Sequence, residues 1–227
     1  MQDRFPIRLS PDHLARIAPA PDGELLHDPR WRMLEDADLD LLAERLTQDR
    51  PRPVPIFAYG SLIWNPGFEV GGRRRATAIG WHRSFSIQLE RFRGSPDRPG
   101  LMLALAQGGR CEGVVLDIAA GTEAQSLRAI LRRELVAHEL AANARWIEIE
   151  TERGREEALT FYAGPVGTQL AELTVEEQAR RLARAAGAAG SGAEYLLRTV
   201  QGLADLGIHD DYIWTLQRLV AEEIEAG

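Results

Sequence analysis

A glutamate occupies the apolar side of a predicted helix, where a carboxylate is uncommon. Residues 122–140 are predicted to be helical because apolar side chains recur in them at helical spacing, namely Leu127, Ile130, Leu131 and Leu135. At about 100° per residue, Glu134 lies on the same stripe, whereas its arginine neighbours point towards solvent. Burial raises the pKa of a carboxyl towards neutrality, where a general acid or base works best. The pattern leaves two interpretations open: a catalytic carboxyl, or a buried glutamate paired with one of the 27 arginines.

A second candidate is the turn Tyr59-Gly60-Ser61-Leu62, which follows an apolar run that begins at Val54. Such a run is typical of a buried strand, and a glycine after it permits a tight bend and close approach of a ligand. Successive N–H groups in a turn form a concavity that suits a carboxylate or another anion. The alternative is an ordinary strand end without a ligand.

The sequence does not support a serine nucleophile, a metal site, lysine-based chemistry or a cofactor. Ser61 lacks the G-x-S-x-G pattern of a serine nucleophile. The histidines form neither H-x-x-x-H nor H-E-x-x-H, and Cys111 is the single cysteine, so no metal site is predicted. All 27 basic residues are arginine, which excludes a Schiff-base lysine and a P-loop lysine. Without a dinucleotide fingerprint, no cofactor is predicted.

Several motifs, in this order along the chain, resemble the ChaC family of γ-glutamylcyclotransferases, particularly its bacterial members. The matching segments are Phe57–Pro66, Gly80–Phe85, Pro99–Leu105, Leu131–Glu134, Ser191–Leu196 and Leu206–Asp211. Two positions depart from the family pattern. Ala58 stands where the family usually has glycine, and residues 135–140 replace a glycine-rich stretch that contains a tyrosine.

The resemblance implies an internal cyclisation, in which the α-amine of a γ-glutamyl group attacks its own side-chain carbonyl. The products are 5-oxoproline and an amine, which for glutathione is Cys-Gly. It implies that Glu134 is the catalytic acid and base, and that the substrate-binding residues are Tyr59, Gly60, Ser61, Leu62 and Tyr195. Two alternatives stay open: a cyclotransferase for another γ-glutamyl amino acid or amine, and a non-catalytic protein that binds an anionic metabolite.

Strands come first along the chain and helices later, which indicates an α+β fold. The resemblance implies a small mixed β-barrel flanked by helices, over residues 53–227. Residues 1–52 are predicted to be an N-terminal extension, partly helical at Asp38–Leu46 and rich in proline at Pro19–Gly23. This extension is expected to pack outside the core or, alternatively, to cover the substrate entrance.

Paired residues at predicted helix starts form three capping boxes, namely Thr122 with Gln125, Thr174 with Glu177, and Ser191 with Glu194. The glycine-rich stretch 187–192 is predicted to be a flexible loop. The run Arg73–Arg75 is interpreted as a solvated turn.

The chain has a formal net charge of −7, which does not favour a nucleic-acid partner. No segment reaches transmembrane length, and Met1–Ser10 lacks the apolar region of a signal peptide. A single cysteine fits a reducing compartment. A cytoplasmic monomer with a small-molecule substrate, and without a nucleic-acid or membrane partner, is therefore expected.

Overall fold

The computed structural model describes residues 6–18, 31–164 and 170–227, which divide into two compact units. The barrel unit consists of the described residues within His27–His82 and Leu105–Thr168. The helical unit consists of those within Met1–Leu26, Arg83–Ala104 and Gln169–Gly227. The proline-rich segment Pro19–Gly23 lies outside the described residues, and the predicted boundary between residues 52 and 53 stays a prediction.

Five strands close into a barrel in the order β1-β3-β2-β4-β5. Their bounds are Pro55–Ala58 for β1, Val70–Leu89 for β2, Gly100–Ile118 for β3, Ala144–Thr151 for β4 and Gly154–Phe161 for β5. Strand β1 is antiparallel to β3 and parallel to β5, while β4 is antiparallel to both β2 and β5. The predicted mixed barrel and α+β class are therefore confirmed.

The barrel core consists of side chains that alternate along the strands. On β4, for example, Ile147 and Ile149 are buried while Glu148 is exposed, as the two-residue period of a strand requires. These isoleucines join one cluster with buried residues of the other strands, namely Phe57, Ala76, Ala78, Leu105, Cys111, Val115 and Ala158. Small alanines on two strands leave room for the larger rings and branched chains of the others.

The strand register defines the end of the barrel at which β1 stops. Ile56 is paired with Leu159 in the parallel β1–β5 ladder, so the C-terminal ends of these two strands lie together. Ala144, the first residue of β4, is paired with Phe161, the last residue of β5. The ends at Ala58, Ala144 and Phe161 are called here the β1 end of the barrel. The Tyr59–Leu62 turn therefore lies at this end.

The barrel unit also contains helices α2 (Asp36–Thr47), α3 (Ser61–Trp64), α4 (Glu123–Glu134) and a 3₁₀ helix (His138–Asn143). The predicted helix over residues 122–140 is therefore wrong beyond Glu134. There the chain turns to meet the N-terminal segment: Ala137 forms a β-bridge with Met33, and the His138 N–H donates to the carbonyl of Arg32 at 2.9 Å.

The predicted capping box at the start of α4 is also wrong. The Thr122 side chain makes no cap hydrogen bond, and its hydroxyl instead donates to the carbonyl oxygen of Ala119 at 2.9 Å. Glu123 accepts a hydrogen bond from the N–H of Gly121, which precedes the helix, and its negative charge in the first turn is favourable to the helix dipole.

Helix α2 packs on α4, which carries Glu134. The helix was predicted, and two of its predicted apolar residues, Leu39 and Leu42, are buried. Ion pairs join the two helices: Arg128 binds Asp40 through two hydrogen bonds of 2.8 and 2.7 Å, and Arg132 pairs with Asp36. Helix α2 of the N-terminal extension therefore braces the helix of the candidate catalytic residue.

The helical unit contains helices and a short hairpin. Their bounds are Pro11–Leu14 for α1, Val175–Arg184 for α5, Ala186–Gly187 for β6, Gly190–Ser191 for β7, Gly192–Asp205 for α6 and Asp211–Ala226 for α7. The capping box at Thr174 is confirmed by bonds in both directions with Glu177. At α6 the hydroxyl of Ser191 accepts from Glu194 N–H, but the Glu194 carboxylate pairs with Arg93 instead of closing the box. The stretch predicted as a loop forms the β6–β7 hairpin.

The run Arg73–Arg75 lies within β2, so the predicted solvated turn is wrong. The Arg74 side chain is only 9% exposed, and its guanidinium contacts Asp117 and Glu156 at 2.6 Å each. These partners come from β3 and β5, which satisfies the buried positive charge. None of the helices within the described ranges has the length and apolar character that crossing a membrane requires.

Candidate active site

The Tyr59–Leu62 turn is a compact link between β1 and α3. Strand β1 ends at Ala58, and the Ile63 N–H donates to the carbonyl of Gly60 at 2.9 Å. The Asn65 N–H donates to the carbonyl of Ser61 at 2.8 Å. The Leu62 side chain is buried, so the group that Leu62 can offer a ligand is its backbone N–H rather than its side chain.

The Tyr59 side chain fixes the turn to the barrel. Its hydroxyl donates a hydrogen bond of 2.9 Å to the carbonyl of Phe161, and its ring packs against the barrel core. This contact joins the end of β1 to the end of β5. The hydroxyl is therefore engaged in holding the turn, and the predicted contribution of Tyr59 to substrate binding falls to its backbone.

Arg133 connects the turn to the candidate catalytic residue. Its guanidinium donates to the Ser61 hydroxyl at 2.7 Å and to the carbonyl of Asn65, and its Nε lies 3.2 Å from Oε1 of Glu134. The structure thus brings together two parts of the site that lie about seventy residues apart in sequence. Since a guanidinium cannot accept a proton, its contact with Ser61 does not activate that hydroxyl as a nucleophile.

Arg133 was not predicted as a site residue, because a position beside the apolar stripe indicates a solvated side chain. The side chain is instead only 30% exposed and makes the contacts described above. The available signal was its place directly before Glu134, in a segment that matches the family motif.

Glu134 is the last residue of α4, and its side chain is 23% exposed. Burial raises the pKa of this carboxyl above its ordinary value, and the positive charge of Arg133 opposes part of that rise. Of the two interpretations that the sequence left open, the pairing with an arginine is observed, since the partly buried glutamate contacts Arg133, while the catalytic role stays a prediction. Because the effect of burial is the larger of the two, the net shift of the pKa is upward, which favours proton exchange with a bound substrate.

Tyr195 lies in α6, within the helical unit, and is 7% exposed. Its ring meets Phe85 edge to face, with centroids 6.0 Å apart, and the Arg93 guanidinium lies 5.5 Å from the ring centroid. Its predicted contact with substrate stays a prediction. Among the residues with described positions, no group of three or more His, Cys, Asp or Glu side chains could hold a metal ion.

Comparison with known proteins places these features in a family. The family model described as ChaC-like protein matches residues 54–223. The chain belongs to the ChaC-like family. The matched region contains the Tyr59–Leu62 turn, Glu134 and Tyr195, and it leaves out α2.

Curated members of the family are similar over most of this ChaC-like chain. A glutathione-specific γ-glutamylcyclotransferase of Escherichia coli strain K12 is 34% identical over 181 residues, which cover 77% of this chain and 78% of that protein. The γ-glutamylcyclotransferase 2-1 of Arabidopsis thaliana is 26% identical over 190 residues, covering 75% and 83%. The predicted family is therefore confirmed.

A solved structure is similar in fold. The crystal structure of a yeast γ-glutamyl cyclotransferase specific to glutathione matches with a TM-score of 0.66 at 19% identity, covering 75% of this chain and 96% of the yeast chain. At this identity the similarity concerns the fold alone, and it agrees with the closed barrel described above.

Proposed function

We propose that this ChaC-like protein is a γ-glutamylcyclotransferase that converts glutathione into 5-oxoproline and Cys-Gly. The observation that carries the proposal is the placement of Glu134, a carboxyl with a raised pKa, tied through Arg133 to the Tyr59–Leu62 turn. The name of the E. coli relative supports glutathione as the donor.

The proposed reaction needs a mobile proton rather than an enzyme nucleophile. Glu134 takes a proton from the α-ammonium group of the substrate, and the freed nitrogen attacks the γ-carbonyl carbon. As the bond from that carbon to the cysteine nitrogen breaks, Glu134 returns a proton to the departing nitrogen. The ring nitrogen then loses its extra proton to solvent, and the released amine takes one up. One carboxyl can therefore serve first as base and then as acid.

The turn supplies position and charge stabilisation. The N–H groups of Tyr59–Leu62 bind either the α-carboxylate of the substrate or the oxyanion of the tetrahedral intermediate, and these two roles remain alternatives. Holding the γ-glutamyl chain in its folded-back conformation is the larger task, because well-oriented intramolecular reactions gain about 7–11 kcal/mol. The turn is suited to it, since Tyr59 and Arg133 fix it on two sides.

Product analysis tests the proposal. The purified chain is incubated with glutathione, and 5-oxoproline and Cys-Gly are quantified by mass spectrometry. Equal amounts of the two products are expected. A parallel reaction with γ-glutamyl-alanine tests the alternative donor class, which gains support if that donor is turned over faster. Absence of 5-oxoproline from both reactions would refute the enzymatic function and favour the metabolite-binding alternative.

A monomer in the cytoplasm, without nucleic-acid or membrane partners and without a cofactor, stays a prediction of the sequence. The expected partner is the small-molecule substrate alone.

A further inference from the structure

Two aromatic rings and one guanidinium form a cluster in the barrel unit that the proposed mechanism does not use. Trp81 and Tyr162 meet edge to face with ring centroids 5.5 Å apart. The guanidinium carbon of Arg145 lies 5.3 Å from the Trp81 ring centroid and 5.2 Å from that of Tyr162. These distances fit a cation–π arrangement that holds the guanidinium in place.

Strand register places Arg145 on the inner face of the barrel wall. Arg145 is paired with Thr160, just as Ile147 is paired with Ala158, and residues two apart on a strand share a face. Arg145 therefore continues the row of buried core isoleucines, one step closer to the β1 end. Unlike them it is exposed, so it lies at the rim rather than in the core.

Trp81 reaches the same place through an irregularity in β2. Ala76 and Ala78 belong to the barrel core, so regular alternation would put residue 80 inside and residue 81 outside. Gly80 has a φ of +79°, a conformation that favours glycine, and Trp81 turns inward to join the core at 7% exposure. The sequence motif Gly80-Trp81 thus has a structural purpose at this end of the barrel.

The positive charge of Arg145 has no neutralising partner within the described part of the chain. Among the residues that the structure describes, no carboxylate lies within 4 Å of its guanidinium, whose contacts are the two rings. By contrast, Arg155, on the adjacent strand, pairs with Glu148 and Glu150. A guanidinium held over aromatic faces keeps its N–H edge free for a carboxylate, which it can bind through two parallel hydrogen bonds.

We propose that Arg145 binds the glycine carboxylate of glutathione, which belongs to the half of the substrate that leaves as Cys-Gly. The inference rests on the proposed function, in which the γ-glutamyl end lies between Glu134 and the Tyr59–Leu62 turn. That turn and Arg145 both lie at the β1 end of the barrel. Two residues separate the γ-carbonyl from the glycine carboxylate, a span of at most about 7 Å. Arg145 is then a specificity determinant that favours donors with an anionic leaving group.

A substrate analogue without the terminal charge distinguishes carboxylate binding by Arg145 from an effect of Arg145 on turnover of any donor. The parent and Arg145→Gln are assayed with glutathione and with its glycinamide analogue, which lacks the terminal negative charge. For the parent, kcat/KM with glutathione is expected to exceed that with the amide about tenfold, as loss of a charge-assisted contact predicts. In Arg145→Gln, kcat/KM with glutathione falls about tenfold, mainly through KM, whereas the value with the amide is unchanged. Arg145→Lys keeps part of the preference.

Arg155→Gln is the matched control, because it removes the same charge from an exposed side chain on the neighbouring strand, near the β4–β5 turn. It is expected to leave both substrates unaffected. Unchanged activity with the amide also shows that Arg145→Gln is folded. Equal losses with both substrates, or no loss with either, would overturn the inference while leaving the proposed function intact. If the parent releases 5-oxoproline from neither donor, the proposed function fails and the inference falls with it.

Discussion

Replacement of Glu134 by glutamine tests the centre of the proposed mechanism. The amide keeps the size of the side chain and an oxygen that can accept from Arg133, whose Nε lies 3.2 Å from Oε1 in the parent. It cannot carry a proton, so kcat is expected to fall about 10²–10⁴-fold, the usual contribution of general acid–base catalysis. This loss corresponds to about 2.7–5.4 kcal/mol in the activation barrier. The assay is release of 5-oxoproline under saturating glutathione, with KM changing much less than kcat.

Although it lowers activity, the same substitution is expected to stabilise the folded chain relative to the parent as the pH rises. Burial raises the pKa of Glu134 in the folded chain above the value in the unfolded chain. The folded state is therefore favoured while the carboxyl is protonated, and this advantage is lost as the pH rises through the folded pKa. Each pKa unit between the two states corresponds to about 1.36 kcal/mol. Glu134→Gln does not ionise, so its stability relative to the parent is expected to increase with pH above the unfolded pKa.

Urea unfolding at a series of pH values measures this difference, and Glu152→Gln serves as control because Glu152 is exposed in the turn between β4 and β5. The control is expected to match the parent in both kcat and stability. A kcat of Glu134→Gln close to that of the parent would refute the proposed role of this carboxyl. A stability difference that shrinks as the pH rises would contradict the assigned direction of the pKa shift.

Two further substitutions test the surroundings of the site. Arg133→Gln removes the charge that lowers the pKa of Glu134, so the acidic limb of kcat/KM against pH should move to higher pH. Arg133→Lys keeps the charge, so its acidic limb should stay close to that of the parent. An acidic limb that does not move in Arg133→Gln would contradict the electrostatic role of Arg133. Tyr59→Phe loses the hydrogen bond to the carbonyl of Phe161 and should lower the unfolding free energy by about 1 kcal/mol in urea titrations, and an unchanged midpoint would show that this bond contributes nothing.

Local periodicity in the sequence was enough to predict two parts of the candidate site. The apolar stripe of α4 identified Glu134 as a carboxyl on the wrong face, and the end of an apolar run located the turn after β1. The role of Arg133 could not be predicted in this way, because helical spacing indicates the face on which a side chain lies but not which residues of another element contact it. Its partners Ser61 and Asn65 lie 72 and 68 residues away in sequence.

Two parts of the fold were also wrongly predicted from local sequence patterns. The stretch 187–192 has the composition of a flexible loop, yet it pairs with itself, and the Ala189 N–H donates to the distant carbonyl of Phe92 at 2.8 Å. Helix α4 stops before the predicted Leu140 because a segment about a hundred residues earlier pairs with Ala137. In both cases a tertiary contact decides the local structure, and no local pattern reports it.

The residues that support helix α4 extend beyond those that match the family model. Helix α2 lies before the matched residues 54–223, yet its aspartates neutralise two arginines of α4, and its leucines are buried. The proposed catalytic residue therefore lies in the shared part of the chain, while some of the contacts that hold its helix in place come from residues upstream of that part. Evolution can alter that upstream support, and with it the tolerance of the enzyme to heat or salt, without touching a single residue of the signature.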